Sequence, residues 1–123
     1  MPETRNNNIR VELRSPDASA NPYLALAACL AAGLDGIRRQ MTPPPKAEAN
    51  LFAMSEDEIA VRGISRLPEN LGDALRALEE DDLLRGMLGG FAFPRYVQAK
   101  KAEWEAYCAQ VTAWEVDEYL NEL

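Results

Sequence analysis

The chain has 123 residues, 47% hydrophobic and 27% charged, with a net charge of −7, the size and balance of one soluble domain and not of a disordered or fibrous chain. Residues 1–46 hold six Lys/Arg against four Asp/Glu and residues 47–123 hold seven against sixteen, so the second part repels phosphate backbones and anionic lipid, and the expected partners include neither nucleic acid nor membrane. There is no histidine, and Cys29 and Cys108 lack CxxC spacing, which removes the donors that zinc or thiol–imidazole chemistry needs.

Both cysteines lie in apolar helical stretches and are expected as small buried residues in a reducing compartment. Met1 to Asn8 is polar, and the longest apolar stretch, Leu24 to Ala32, is soon interrupted by Gly33 and Asp35. With neither a signal peptide nor a membrane span, a cytoplasmic location is expected.

Ile9, Val11 and Leu13 alternate with Arg10, Glu12 and Arg14, a period of two that predicts a strand from Ile9 to Ser15 with three apolar side chains on one face and three charges on the other. Ser15-Pro16-Asp17 ends it as a turn. Asn21-Pro22 then supplies a helix cap followed by proline at the first helical position, predicting a helix from about Pro22 to Arg39.

Pro43-Pro44-Pro45 cannot continue a helix, so Met41 to Met54 is a connecting segment. Ser55 and Glu58 have capping-box spacing and start a short helix ending at Gly63. Asn70 starts another through Leu71, Leu75 and Leu78, and a further turn or two around Leu83 to Leu88 ends at Gly89-Gly90. Pro94 is expected to open the longest late helix, with Tyr96, Val97, Trp104, Tyr107, Cys108 and Val111 near one face. Thr112 and Glu115 repeat the capping box and start a last helix toward Tyr119 and Leu120.

The expected fold is therefore α+β and predominantly α-helical, with one or two short strands at the N-terminus: residues 1–20 form a strand and turn, and residues 21–123 a helical region. A lone strand cannot satisfy its own backbone groups. Its partners are expected outside this sequence, in a longer protein of which the chain is a piece, and the isolated strand is expected to pair between copies or to be disordered.

Arg10, Glu12 and Arg14 would stand roughly 6–7 Å apart on one strand face. A carboxylate between guanidinium groups is a hard oxygen ligand suited to magnesium or manganese, and the arginines can hold phosphate or carboxylate bidentately. The same three charges also fit a solvated strand face paired to neighbouring strands, and the pattern alone leaves both readings open.

The string Arg10-Val11-Glu12-Leu13-Arg14-Ser15-Pro16-Asp17, followed by Asn21-Pro22-Tyr23-Leu24-Ala25 and Ala31-Ala32-Gly33-Leu34-Asp35-Gly36-Ile37, resembles the C-terminal part of the catalytic domain of bacterial type I glutamine synthetase. The resemblance continues through Pro43-Pro44-Pro45, Asn50-Leu51-Phe52, Leu67-Pro68, Glu103-Trp104 and Gln110-Val111-Thr112-Ala113-Trp114-Glu115, so it covers essentially the whole chain.

That resemblance implies an ATP-dependent glutamate–ammonia ligase working through γ-glutamyl phosphate, with Mg²⁺ or Mn²⁺, in stacked six-membered rings of identical subunits. By position, Glu12 would ligate the metal, Arg10 would contact the nucleotide, and Arg14 would hold substrate glutamate. The family's histidine and remaining glutamate ligands have no counterpart here, so the chain alone is expected to be inactive and to bind neither ATP nor metal tightly. Phe52 stands where adenylylated members have a tyrosine, which implies that this control is absent. The alternatives are a γ-glutamyl-polyamine or amine ligase of the same superfamily, and a non-catalytic helical interaction module. Asn21 and Tyr23 are expected to be structural, and Trp104 and Trp114 to be packing or subunit-contact anchors.

Overall fold

Short polar side chains that reach back to bare amides fix where the helices begin. In the computed structural model, which describes residues 11–47 and 50–120, Asn21 Oδ1 accepts from the Tyr23 and Leu24 amides at 3.0 and 3.2 Å. Pro22 occupies the first helical position and α1 runs Pro22–Arg38. Residues 41–47 carry no regular structure, as the three prolines dictate.

A single 3-10 turn, Leu51–Ala53, is capped by Asn50 and precedes α2, Glu56–Val61. The last helix, α5, spans Ala113–Tyr119. Both α2 and α5 open on complete capping boxes. The Ser55 amide donates to Glu58 Oε2 at 2.8 Å while the Glu58 amide donates to Ser55 Oγ at 3.4 Å, and Thr112 and Glu115 repeat the exchange at 2.7 and 3.2 Å.

In each box the backbone amide, and after it the hydroxyl, holds the glutamate pKa below its ordinary value. A depressed folded-state pKa means that the cap contributes fully above the unfolded glutamate pKa and is lost as pH falls through the folded one. Carboxyl-carbon NMR titration of Glu58 and Glu115 should therefore give midpoints below the ordinary glutamate value. Midpoints at or above the ordinary value would mean that the boxes do not form in solution.

The packed part consists of three helices. α3, Leu71–Glu80, turns at Asp81 into α4, Asp82–Cys108, and α4 packs against both α3 and α1. Leu75 of α3 and Val97 of α4 are the buried hydrophobic residues among those described, at 4% and 6% exposure. Gly89 breaks α4 with φ 72° and ψ 170°, a conformation that essentially only glycine adopts, so residues 82–88 and 90–108 are two helical pieces in succession. At Gly72 a Cβ would lie 2.7 Å from Trp104 Nε1, so the indole needs a residue without a side chain there.

Several expectations change. Ile9 and Arg10 lie outside the described residues, and residues 11–15 are exposed and form no strand, because no other described segment offers them a ladder of amides and carbonyls. The described part is thus helical, without the β component expected. Cys29 and Cys108 are both exposed, not buried. Pro94 lies inside α4, the helix having already restarted after Gly89. On the late-helix face Val97 is buried and Tyr96 and Trp104 are half-buried, but Tyr107, Cys108 and Val111 face solvent.

The molecule exposes 11179 Å², where a compact monomer of 13.7 kDa exposes about 6,600 Å². The three-helix core covers only part of the chain's apolar surface.

Candidate functional site

The segment from Val11 to Ala20 leads into α1 and carries the charged residues singled out in the sequence. Arg14 donates through Nε to Glu12 Oε1 at 2.8 Å, and its Nη2 lies 2.8 Å from the same oxygen. The side chains are 85% and 52% exposed. The structure therefore brings Glu12 and Arg14 together in a segment without regular structure, while Arg10 lies outside the described residues. An exposed pair of this kind contributes at most about 1 kcal/mol, so it does not hold the fold together and is open to exchange with a ligand.

The chain turns immediately afterwards. Asp17 Oδ1 accepts from the Ser19 amide and hydroxyl, both at 2.7 Å, and the Ala20 amide reaches the Asp17 carbonyl at 3.3 Å. The Ser19 hydroxyl first, then its amide, keeps the Asp17 carboxyl below the usual aspartate range. This turn and the Asn21 cap tie the site segment to the start of α1. Sequence reading passed over Ser19, although an acceptor side chain at Asp17 with a serine two residues on is the signature of such a turn.

Among the described residues no three His, Cys, Asp or Glu side chains stand close enough to hold a metal ion. Glu12 is a single carboxylate, so the donor set among the described residues does not fit a divalent cation. The depression of about 240 Å³ between α1, α3 and α4 is lined by Leu24, Ala28, Leu78, Leu84 and Met87 with Tyr96. Its lining includes no cation to receive phosphate or carboxylate.

The other residues singled out are peripheral to that segment. Asn21 is a helix cap, as expected, and Tyr23 is exposed. Trp104 stacks on Tyr107 with ring centroids 5.6 Å apart, and Trp114 meets Tyr119 edge-on at 5.8 Å while remaining largely exposed. The Phe52 ring stands fully in solvent. No described helix is long and apolar enough to cross a membrane.

The family model of the glutamine synthetase catalytic domain matches residues 1–119. The chain belongs to that family. It is 47% identical over 121 residues to the glutamine synthetase of Clostridium saccharobutylicum, covering 98% of this chain and 27% of the relative. Against the glutamine synthetase of Methanocaldococcus jannaschii it is 46% identical over 120 residues, covering 98% and 26%. Among solved structures, one described as apo GmaS without ligand superposes with a TM-score of 0.67 at 44% identity, over 88% of this chain and 24% of that one. The chain thus spans about a quarter of the length of the glutamine synthetases it matches, and the Glu12–Arg14 segment falls within the matched catalytic domain.

Proposed function

We propose that this chain is the C-terminal portion of the catalytic domain of an ATP-dependent glutamate–ammonia ligase and contributes one edge of its active site. The observation that carries the reading is the exposed Glu12–Arg14 pair, weakly committed to the fold, inside a match to the synthetase catalytic domain that runs over nearly the whole chain.

In the reaction, a γ-carboxylate oxygen of glutamate attacks the terminal phosphorus of ATP, releasing ADP and leaving an acyl phosphate. Ammonia then attacks the acyl carbon, phosphate departs with the bonding pair, and loss of a proton leaves glutamine. Arg14 holds a substrate carboxylate through its planar fork of donors. Glu12 is one oxygen ligand of a set completed by other parts of the enzyme, and Arg10 contacts the nucleotide. When bound, Mg²⁺ or Mn²⁺ supplies charge neutralisation at the transferred phosphoryl group.

Glu12 and Arg14 hold each other in the structure, so substrate binding would be an exchange of partners: Arg14 would give up Glu12 for the substrate carboxylate, and the Glu12 carboxylate would then be one of the groups holding a divalent cation whose charge neutralises the transferred phosphoryl group. Assembly into stacked six-membered rings and a cytoplasmic location belong to the same proposal. So does the absence of adenylylation at Phe52, whose exposed ring has no hydroxyl to modify.

The test is glutamine formation by two proteins: the chain alone, and a full-length synthetase in which this chain replaces the matching quarter of the Clostridium saccharobutylicum enzyme. No turnover by the first and ATP-dependent glutamine formation by the second is expected. An assembled, folded graft that makes no glutamine would sink the reading. A graft that uses methylamine in preference to ammonia would move it to the amine-ligase branch.

A further inference from the structure

Where the end of α4 passes the start of α3, an open groove of about 420 Å³ is lined by Glu69, Asn70, Leu71, Glu103, Trp104 and Tyr107. Its floor follows from Gly72: with no side chain there, the Trp104 indole edge lies against the first turn of α3. Tyr107, about one helical turn on, stacks beside the indole with ring centroids 5.6 Å apart and planes 22° apart. Rings at that separation are offset, so each keeps part of its face uncovered. Trp104 is half-buried and Tyr107 is 65% exposed.

The charge around this floor has one sign. Glu69 and Glu103 both stand exposed on the rim. Lys100 holds Glu103 at 2.6 Å, whereas Glu69 makes no ion pair with any of the described residues. Asn70 is occupied as the cap of α3. Arg76 and Lys101 line a neighbouring groove and are paired with Asp73 and Glu79. The last turn of α4 holds no basic residue, and no Lys or Arg follows Lys101 in the sequence, so the negative end of that helix dipole also lacks a cation.

We infer that this groove is a docking site for a basic segment of a partner protein, which lays an arginine guanidinium on the Trp104–Tyr107 floor and gives its N–H donors to Glu69. Three features select that occupant. Ring faces bordered by carboxylates attract cations and repel phosphate or acidic peptide. A flat offset pair, in contrast to a cage of rings, suits a planar guanidinium better than a compact ammonium. Free arginine carries a carboxylate of its own, which Glu69, Glu103 and the helix end repel, whereas within a peptide that group is a neutral amide. The inference goes beyond the ligase reading and does not depend on it, because no groove residue belongs to the Glu12–Arg14 segment.

The experiment follows tryptophan emission in the full chain carrying Trp114→Phe, which leaves Trp104 as its one tryptophan, as capped tetra-arginine, tetra-lysine or neutral tetra-citrulline peptide is added. Tetra-arginine is expected to change the emission saturably, tetra-lysine to bind about 5-fold more weakly, and tetra-citrulline to leave it unchanged. Glu69→Gln should weaken tetra-arginine binding about 5-fold. Glu80→Gln, an equal change of charge at an exposed position of α3, should alter it by less than about a factor of two. Equal losses in the two variants would reduce the binding to general attraction by an acidic chain and overturn the inference, as would tetra-citrulline binding as tightly as tetra-arginine. Emission that shifts with the concentration of the chain itself and does not respond to peptide would assign the groove to a second copy, and would overturn it too.

Anisotropy of a dye-labelled tetra-arginine peptide repeats the measurement on the grafted full-length synthetase, with the same dependence on Glu69 expected. Its absence there would mean that the groove is covered in the whole enzyme, and the inference would fall. Glutamine formation is read separately on the same graft, so lost turnover counts against the ligase reading alone.

Discussion

Arg14→Ala in the grafted full-length synthetase is expected to lower kcat/KM by about 10²–10³-fold, the range found when one preorganised donor to a developing charge is removed. Its conformational stability should stay within about 0.5 kcal/mol of the parent. The contrast follows from the geometry: the Arg14 side chain is 85% exposed and makes its ion pair with a residue two positions away, so removing it opens no cavity. If the guanidinium binds glutamate equally in ground and transition states, the loss appears in KM for glutamate. If it acts on charge that develops during transfer, the loss appears in kcat.

Glu12→Gln keeps the shape and removes the negative charge, so its defect should be relieved in part by raising the Mg²⁺ or Mn²⁺ concentration, whereas that of Arg14→Ala should not. Steady-state kinetics with glutamate and metal varied independently make the distinction. Activity within a factor of two of the parent in both variants would return the pair to the solvated charged surface that the sequence pattern also allowed.

Leu75→Ala should be the most destabilising single substitution in the isolated chain. Leu75 is 4% exposed where α3 meets α4, and truncating a buried leucine costs about 2–5 kcal/mol. The core has little to spare, with Leu75 and Val97 its buried hydrophobic residues among those described. Urea unfolding followed by circular dichroism should show a lowered midpoint, or loss of the α3–α4 helical signal at zero denaturant. Phe52→Ala, at a ring fully in solvent, should shift the midpoint little. Equal midpoints for Leu75→Ala and the parent would mean that α3 and α4 do not pack as described.

Features held by short-range hydrogen bonds were legible in the residues. The Asn21–Pro22 start of α1, the two capping boxes and the break at Gly89 each depend on groups a few positions apart, so local chemistry decides them whatever surrounds the chain. The family was legible for a different reason: the ordered string from Arg10 to Ile37 is specific.

What depends on distant partners was not legible. The strand expected over Ile9 to Ser15 is not formed in its described part, residues 11–15, because a strand is completed by another segment and none of those described is in place. Cys29 and Cys108 sit in apolar helical stretches, but only the packing angles of the three helices decide which flank of each helix is covered, and both thiols fall on uncovered flanks. The placement of Trp104 over Gly72 joins residues from two helices and depends on their approach. The sequence alone therefore determined the side-chain-capped helix starts and the family, though not the start of the late helix, which lies ahead of Pro94. The tertiary structure decided which side of α1 is spent on the core and which remains open, because helical periodicity marks a face as apolar without saying what will cover it.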